Sequence, residues 1–181
     1  QEAMQNFKRL WSIKSRRRDF RKLPDEQMLK NLGLLTDEGL NYTGLLLLGK
    51  KRKIDALLPD AEIIFEWRQT DQKIPYDFRK TWREPFMRLY NDIWQTINTR
   101  NIRIPFQEGF LQKEIWAFDE KSIREAVLNA VTHRDYSLKG QSIFIKTSPE
   151  RFVIESPGGF VPGVTPQNIL SQCLWRNRRL A

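Results

Sequence analysis

The sequence predicts a chain of the α/β class, in detail an α+β two-layer sandwich. Helices cover a mixed or antiparallel sheet, and a helical region precedes it. Three observations predict this. Residues 1–60 carry helical periodicities interrupted by turn residues. Residues 86–97 and 123–133 carry two further amphipathic helical patterns. Stretches rich in β-branched and aromatic residues stand around them, at 61–68, 101–117 and 141–156. The organisation is therefore a helical linker over 1–60 and a second region over 61–181.

In the first region Phe7, Leu10 and Trp11 fall at helical spacing. Pro24, Asp25 and Glu26 open a short helix with Met28, Leu29 and Leu32 on its apolar side, and Gly33 ends it. Thr36-Asp37-Glu38-Gly39 reads as a turn. Thr43 is placed to cap a helix from Gly44 to Leu48, which Gly49 closes. In the second region Ala61 to Arg68 reads as a strand. Pro85 then starts a helix in which Phe86, Leu89, Tyr90, Ile93, Trp94 and Ile97 form one stripe of core residues. Residues 101–106 and 108–117 read as extended, broken at Gly109. Asp119 is an N-cap for a helix reaching His133. Residues 141–147 and 151–156 alternate and form a hairpin through Ser148-Pro149-Glu150. Thr165 and Pro166 open a last short helix, as N-cap and first helical residue.

Composition narrows the class. The 181 residues are 40% apolar and 12% aromatic, which excludes disorder and supports a buried core. The single cysteine, Cys173, excludes an internal disulfide and points to a reducing compartment. No apolar run is long enough to span a bilayer, and the N-terminus lacks a signal-peptide stretch. The expectation is a cytoplasmic protein with no membrane partner. The net charge of +9 favours anionic partners. Much of it is local, in Lys14, Arg16, Arg17 and Arg18, followed by Arg21 and Lys22. Such a run is either a solvated face or a contact surface for a phosphate backbone. Phe20 is the one aromatic beside it, so a base-stacking platform is not indicated.

The chemistry concentrates on the helix from Ile123 to His133. Ile123, Val127, Ala130 and Val131 form its apolar face. Glu125, Asn129 and His133 stand at i, i+4 and i+8 and share another face. Asparagine has poor propensity in mid-helix, so Asn129 calls for a reason. An amide oxygen suits a magnesium ion that also holds phosphates and water. A carboxylate one turn earlier, Glu125, can orient or deprotonate a water aimed at a γ-phosphate. Downstream, the hairpin ends in Glu155-Ser156-Pro157-Gly158-Gly159. Gly158 and Gly159 allow close backbone approach to a base or phosphate. A short polar side chain at the strand end can accept from an exocyclic amine.

The block Arg124-Glu125-Ala126-Val127-Leu128-Asn129-Ala130-Val131-Thr132-His133-Arg134-Asp135-Tyr136 resembles the N-box of the GHKL-type (Bergerat) domain related to the RecG helicase C-terminus. Ser156-Pro157-Gly158-Gly159-Phe160, Gly163-Val164-Thr165 and Arg176-Asn177 continue the resemblance. Leu32-Gly33-Leu34-Leu35 and Thr43 through Lys50 resemble the segment that follows a Schlafen/AlbA-type DNA-binding domain. The resemblance implies a partial Bergerat fold in a DNA-linked transcriptional regulator or helicase-related protein. It implies ATP and Mg2+ as ligands, Glu125 as water-activating base and Asn129 as magnesium ligand. Gly158 and Gly159 would face adenine or ribose. The usual Asp-x-Gly-x-Gly adenine box is replaced here, and either Glu155 or Ser156 aligns with its Asp. The resemblance also places a second glycine box and a phosphate lid after residue 181, and the DNA-binding domain before Gln1. The implied partners are a nucleotide, DNA through the longer protein, and a second copy in a homodimer; the implied activity is weak ATP hydrolysis.

Other readings compete. Glu125 and Asn129 can form a plain polar face, leaving a non-catalytic dimerisation or scaffold module with a degenerate pocket. A zinc site is rejected because His133 and Cys173 are the only residues of their kinds. His133-Arg134-Asp135 mimics a kinase catalytic loop, but Gly140 stands where that loop needs Asn, so a kinase is rejected. Arg134 and Asp135 are instead read as a helix-terminal cation and a turn. Arg176, Arg178 and Arg179 are read as a frayed, solvated terminus.

Overall fold

The computed structural model describes residues 2–16, 18–70, 75–169, 171–172 and 174–180. Arg17, Cys173 and the side chain of Arg18 lie outside this description. The chain divides into two compact units, residues 1–61 with 83–92, and residues 62–82 with 93–181. The architecture is α+β. Among the described residues no helix is long and apolar enough to cross a membrane.

The first unit is helical, with helices α1 (Glu2–Lys14), α2 (Asp25–Asn31), α3 (Tyr42–Leu48) and α4 (Lys51–Leu57), and a 3-10 turn over Arg18–Lys22. Two short strands, β1 (Leu35–Thr36) and β2 (Gly39–Leu40), make a minimal hairpin around the expected turn. Phe7, Met28, Leu45, Leu47 and Ile54 are buried. The cap of α3 differs from expectation. Asn41, not Thr43, accepts from the Gly44 amide at 3.0 Å. Its side-chain Nδ2 also donates to Gly33 O at 2.6 Å, so the asparagine ties the preceding turn to the helix.

The second unit is built on a four-stranded sheet, in the order β4 (Phe78–Trp82), β3 (Ile63–Trp67), β7 (Ile143–Thr147), β8 (Phe152–Glu155). The β3–β7 pair is parallel and the other two pairs are antiparallel, so the sheet is mixed. Register sets one face as Phe65, Ile145 and Ile154 with their two-residue neighbours. Phe65 and Ile145 are fully buried there. Helix α5 (Phe86–Asn98) contributes Ile93 and Ile97 to the core of this unit. It reaches the same face of the sheet, for Lys80 donates to Thr96 Oγ1 at 3.2 Å and Arg100 lies 3.7 Å over the Phe78 ring. Helix α6 (Glu120–His133) follows Phe118, whose ring packs 5.5 Å from Phe152 of β8. Asp119 caps α6 as expected, accepting from Ser122 N at 2.9 Å.

Two elements depart from expectation. Strands β5 (Arg103–Glu108) and β6 (Leu111–Trp116) are extended and turn at Gly109, but they form a separate two-stranded sheet. The described residues after Thr165 form hydrogen-bonded turns rather than a helix. Asn168 is the reason. Its side chain accepts from Thr165 N and donates to Gly163 O, bonds that favour a turn over a helix.

Candidate functional site

Helix α6 buries Ile123, Val127, Ala130 and Val131, while Glu125, Asn129 and His133 stay exposed on its opposite ridge. This ridge forms one wall of a cleft of about 810 Å³, a size that accommodates a nucleotide-sized ligand. Ser156, Gly158 and Gly159 form a second wall. Phe160, Ile169, Leu174 and Trp175 add an apolar side. Thus Glu125, Asn129, Ser156, Gly158 and Gly159 come together, although 27 positions separate Asn129 from Ser156 in sequence.

Glu155 does not join them. Its neighbours across the ladder show why. Phe144 pairs with Glu155 and Lys146 with Val153, on the face opposite the one that carries Ile145 and Ile154. Glu155 therefore points away from α6 and binds Lys146 at 2.5 Å. The next residue takes the other side. Ser156 Oγ donates to Ala130 O of α6 at 2.8 Å. Strand parity thus assigns the cleft position to Ser156, and the carboxylate that could accept from an exocyclic amine is absent from it.

The glycine turn is held by the segment that ends α6. Asp135 N donates to Pro157 O at 2.8 Å. Gly158 has φ +123°, and a Cβ there would stand 3.0 Å from the Asp135 Cβ, so both conformation and space require glycine. Asp135 accepts from Ser137 N and Oγ at 3.0 and 2.6 Å. The Ser137 hydroxyl and amide hold its carboxyl below the ordinary range, with Arg176 and Arg134 adding to this. Arg176 donates to Asp135 Oδ2 at 3.0 Å and to Gly159 O at 2.8 Å.

A helix leaves its last carbonyls short of partners, and three of those of α6 find side-chain donors here. Ala130 O takes Ser156, Val131 O takes Tyr136 Oη at 3.0 Å, and Thr132 O takes Asn177 Nδ2 at 2.7 Å. Asn177 also donates to Arg134 O at 2.8 Å. Arg134 itself is almost wholly buried, donating to Gln141 O at 2.6 Å with its guanidinium over the Tyr136 ring. Burial pushes the Tyr136 phenol up, opposed by Arg134. The structural reading of Arg134 and Asp135 agrees with these bonds. The reading of Arg176 as frayed does not, since its guanidinium is anchored at two points. What the sequence reading missed is this anchoring and the apolar wall around Trp175. The only local signal for either was the Arg176-Asn177 pair.

Among the described residues no three His, Cys, Asp or Glu side chains cluster to hold a metal. Glu125 and Asn129 offer oxygen donors to the cleft, the donor type that a magnesium ion takes. The basic segment belongs to the first unit. Lys14 and Arg16 are exposed, and Arg16 has φ +56°. Nearby, Arg21 Nε donates to Ser12 Oγ at 2.7 Å.

Comparisons with known proteins add the following. A family model described as a domain of unknown function, DUF8451, matches residues 1–64. No curated protein matches the chain. The crystal structure of the DIP2311 protein from Corynebacterium diphtheriae is similar over 99% of this chain, with TM-score 0.76 and 25% identity. The chain spans about a third of that protein, 35% of its length.

Proposed function

We propose that the second unit binds a nucleoside triphosphate with magnesium, within a DNA-linked regulator. One observation carries the reading: Glu125 and Asn129 share the exposed ridge of α6 and face the Gly158–Gly159 turn across one cleft. The cleft holds one carboxylate, Glu125, and one guanidinium, Arg176, already paired with Asp135. Its own charge therefore does little for a polyphosphate, and a cation held there would supply the neutralisation. Asn129 would hold that cation through Oδ1. Glu125 would orient a water toward the γ-phosphorus and take its proton as the bond to the β-phosphate oxygen breaks. His133, the next residue on the ridge, also lines the cleft.

The test is calorimetric titration of ATP with and without magnesium. Asn129→Ala is expected to weaken binding by about tenfold or more, since it removes the one protein ligand. Chelating the cation should abolish binding. Equal binding by the variant would remove Asn129 from the site. Glu125→Gln is expected to keep binding and lose turnover.

A second reading concerns the exposed Lys14 and Arg16, with Arg17 and Arg18 beside them in sequence. They would contact a DNA backbone, and affinity should then fall steeply with salt. A flat salt dependence would count against it.

A further inference from the structure

The cleft has a side that the ridge of α6 does not supply. Phe160, Ile169, Leu174 and Trp175 line it, and all four side chains are exposed to water. Large apolar side chains gathered at the surface of one concavity mark a contact surface. The ridge gives the same cleft its polar set, Glu125, Asn129 and His133. A nucleotide divides the same way, into a flat base and an anionic tail. Base–aromatic stacking accepts any base, since each presents a π-face. Of the four apolar side chains Trp175 has the largest ring. It also stands directly before Arg176, which is anchored on Asp135 and on Gly159 O, so the ring is carried by a fixed segment.

Given the nucleotide reading above, on which this rests, we propose that the cleft holds its nucleotide by stacking the base on Trp175 and does not distinguish adenine from guanine. The ligand class is then purine nucleoside triphosphates rather than ATP alone. At the same ring position adenine carries an amine, which donates, and guanine a carbonyl, which accepts. Telling them apart takes a group of one sense, a carboxylate that only accepts or a guanidinium that only donates. The structure withholds both from the base. Glu155 is turned to the far face of the sheet and bound to Lys146. Arg176 is tied to Asp135 Oδ2 and Gly159 O through its two terminal nitrogens. Glu125 stands on the ridge, where the cation and phosphates would lie. Away from the ridge the cleft offers Ser156 and Gln172. A hydroxyl and a carboxamide each donate and accept. Ser156 turns its proton to Ala130 O, and Gln172 is exposed, so its carboxamide can present either end to a base. Neither group commits the site to one purine.

The experiment is calorimetric titration of the whole 181-residue chain with ATP, GTP and inorganic tripolyphosphate, each with excess magnesium. A site with a committed hydrogen-bonding group rejects the wrong analogue by about 10⁴-fold or more, so ATP and GTP affinities within about tenfold are the expected result. Tripolyphosphate, which has no base, should bind about tenfold or more weakly than either, the size of one lost stacking contact. Trp175→Ala should weaken ATP and GTP by the same factor, about tenfold, and leave tripolyphosphate unchanged. Trp175→Phe keeps a ring and should recover most of the loss. A Trp175 that merely supported the glycine turn would weaken tripolyphosphate as well. Should Trp175→Ala fail to fold by circular dichroism, the wild-type ratios decide alone. A preference beyond about tenfold for either purine overturns the proposal and leaves the nucleotide reading standing. So does ATP affinity undiminished in folded Trp175→Ala, or tripolyphosphate binding as tightly as ATP. Absence of binding by all three ligands overturns both.

Discussion

Replacing Asn177 by alanine tests the claim that the segment after the cleft is part of the fold of α6. The Asn177 amide donates to Thr132 O at 2.7 Å and to Arg134 O at 2.8 Å. Thr132 and Arg134 are both buried, so water does not replace the lost donor freely. A net hydrogen bond contributes about 1 kcal/mol, and an orphaned buried acceptor costs about 1–3 kcal/mol. Two short bonds from one half-buried side chain place the loss at about 2–3 kcal/mol. Urea denaturation followed by circular dichroism measures it as a lower midpoint at unchanged slope. Because the chain has two units, hydrogen exchange of residues 127–134 locates the effect. Asn177→Asp is the sharper variant. It keeps the shape, removes the donor, and sets a carboxylate against two carbonyl oxygens, so it should be at least as damaging as alanine. A change under about 0.5 kcal/mol in both variants, the range of ordinary surface substitutions, would refute the capping account.

Three further predictions follow from the same region. Gly158→Ala should cost about 1–3 kcal/mol, the range for a strained backbone, given φ +123° and the 3.0 Å approach to Asp135 Cβ; an unchanged urea midpoint would show that the turn is free to shift. Asp135 has its folded pKa lowered below 3.8, so its contribution to stability is complete above that value and disappears as pH falls through the lower folded value. Asp135→Asn should therefore flatten the acid limb of stability below pH 3.8, and a limb identical to wild type would argue against the Asp135–Ser137 contact. Arg176→Met should lower nucleotide affinity by releasing Gly159 and Asp135 together, and titration with equal affinity would separate the anchor from the site.

Much of the chain after residue 61 was legible in the sequence because each element carries its own period. Of the stripe from Phe86 to Ile97, Phe86, Leu89, Ile93 and Ile97 are buried and Tyr90 and Trp94 half-buried, and the face from Ile123 to Val131 is buried, as the 3.6-residue spacing requires. The 141–156 hairpin follows from alternation. What was not legible depended on partners far away in sequence. Whether Glu155 or Ser156 enters the cleft is a question of parity, and parity is fixed only once β8 is registered on β7. Nothing local tells that β5 and β6 stand alone, since their alternation would serve equally well in a larger sheet. Asn41 and Thr43 are both competent caps, and the choice fell to the one whose second hydrogen bond reaches Gly33. The turns after Thr165 show a cap signal overridden by Asn168, whose side chain closes its own loop.

The residues around the cleft divide by what they touch. Glu125, Asn129 and His133 leave the helix and face the cavity. Arg134, Asp135, Tyr136, Arg176 and Asn177 turn inward and satisfy the end of the same helix or the glycine turn. A helix end left unpaired would fray within its last turn, and Asn129 stands just one turn before His133. Fixing the carbonyls of Ala130, Val131 and Thr132 therefore holds the backbone turn that follows Asn129. The same bonds seat Gly158 against Asp135, so one network sets both walls of the cleft. Loss of any inward residue should then reduce affinity without removing a ligand contact, while Asn129→Ala should reduce affinity and leave the urea midpoint unchanged. That split between affinity and stability separates a built site from a polar helix face, for a polar face would register no affinity to lose.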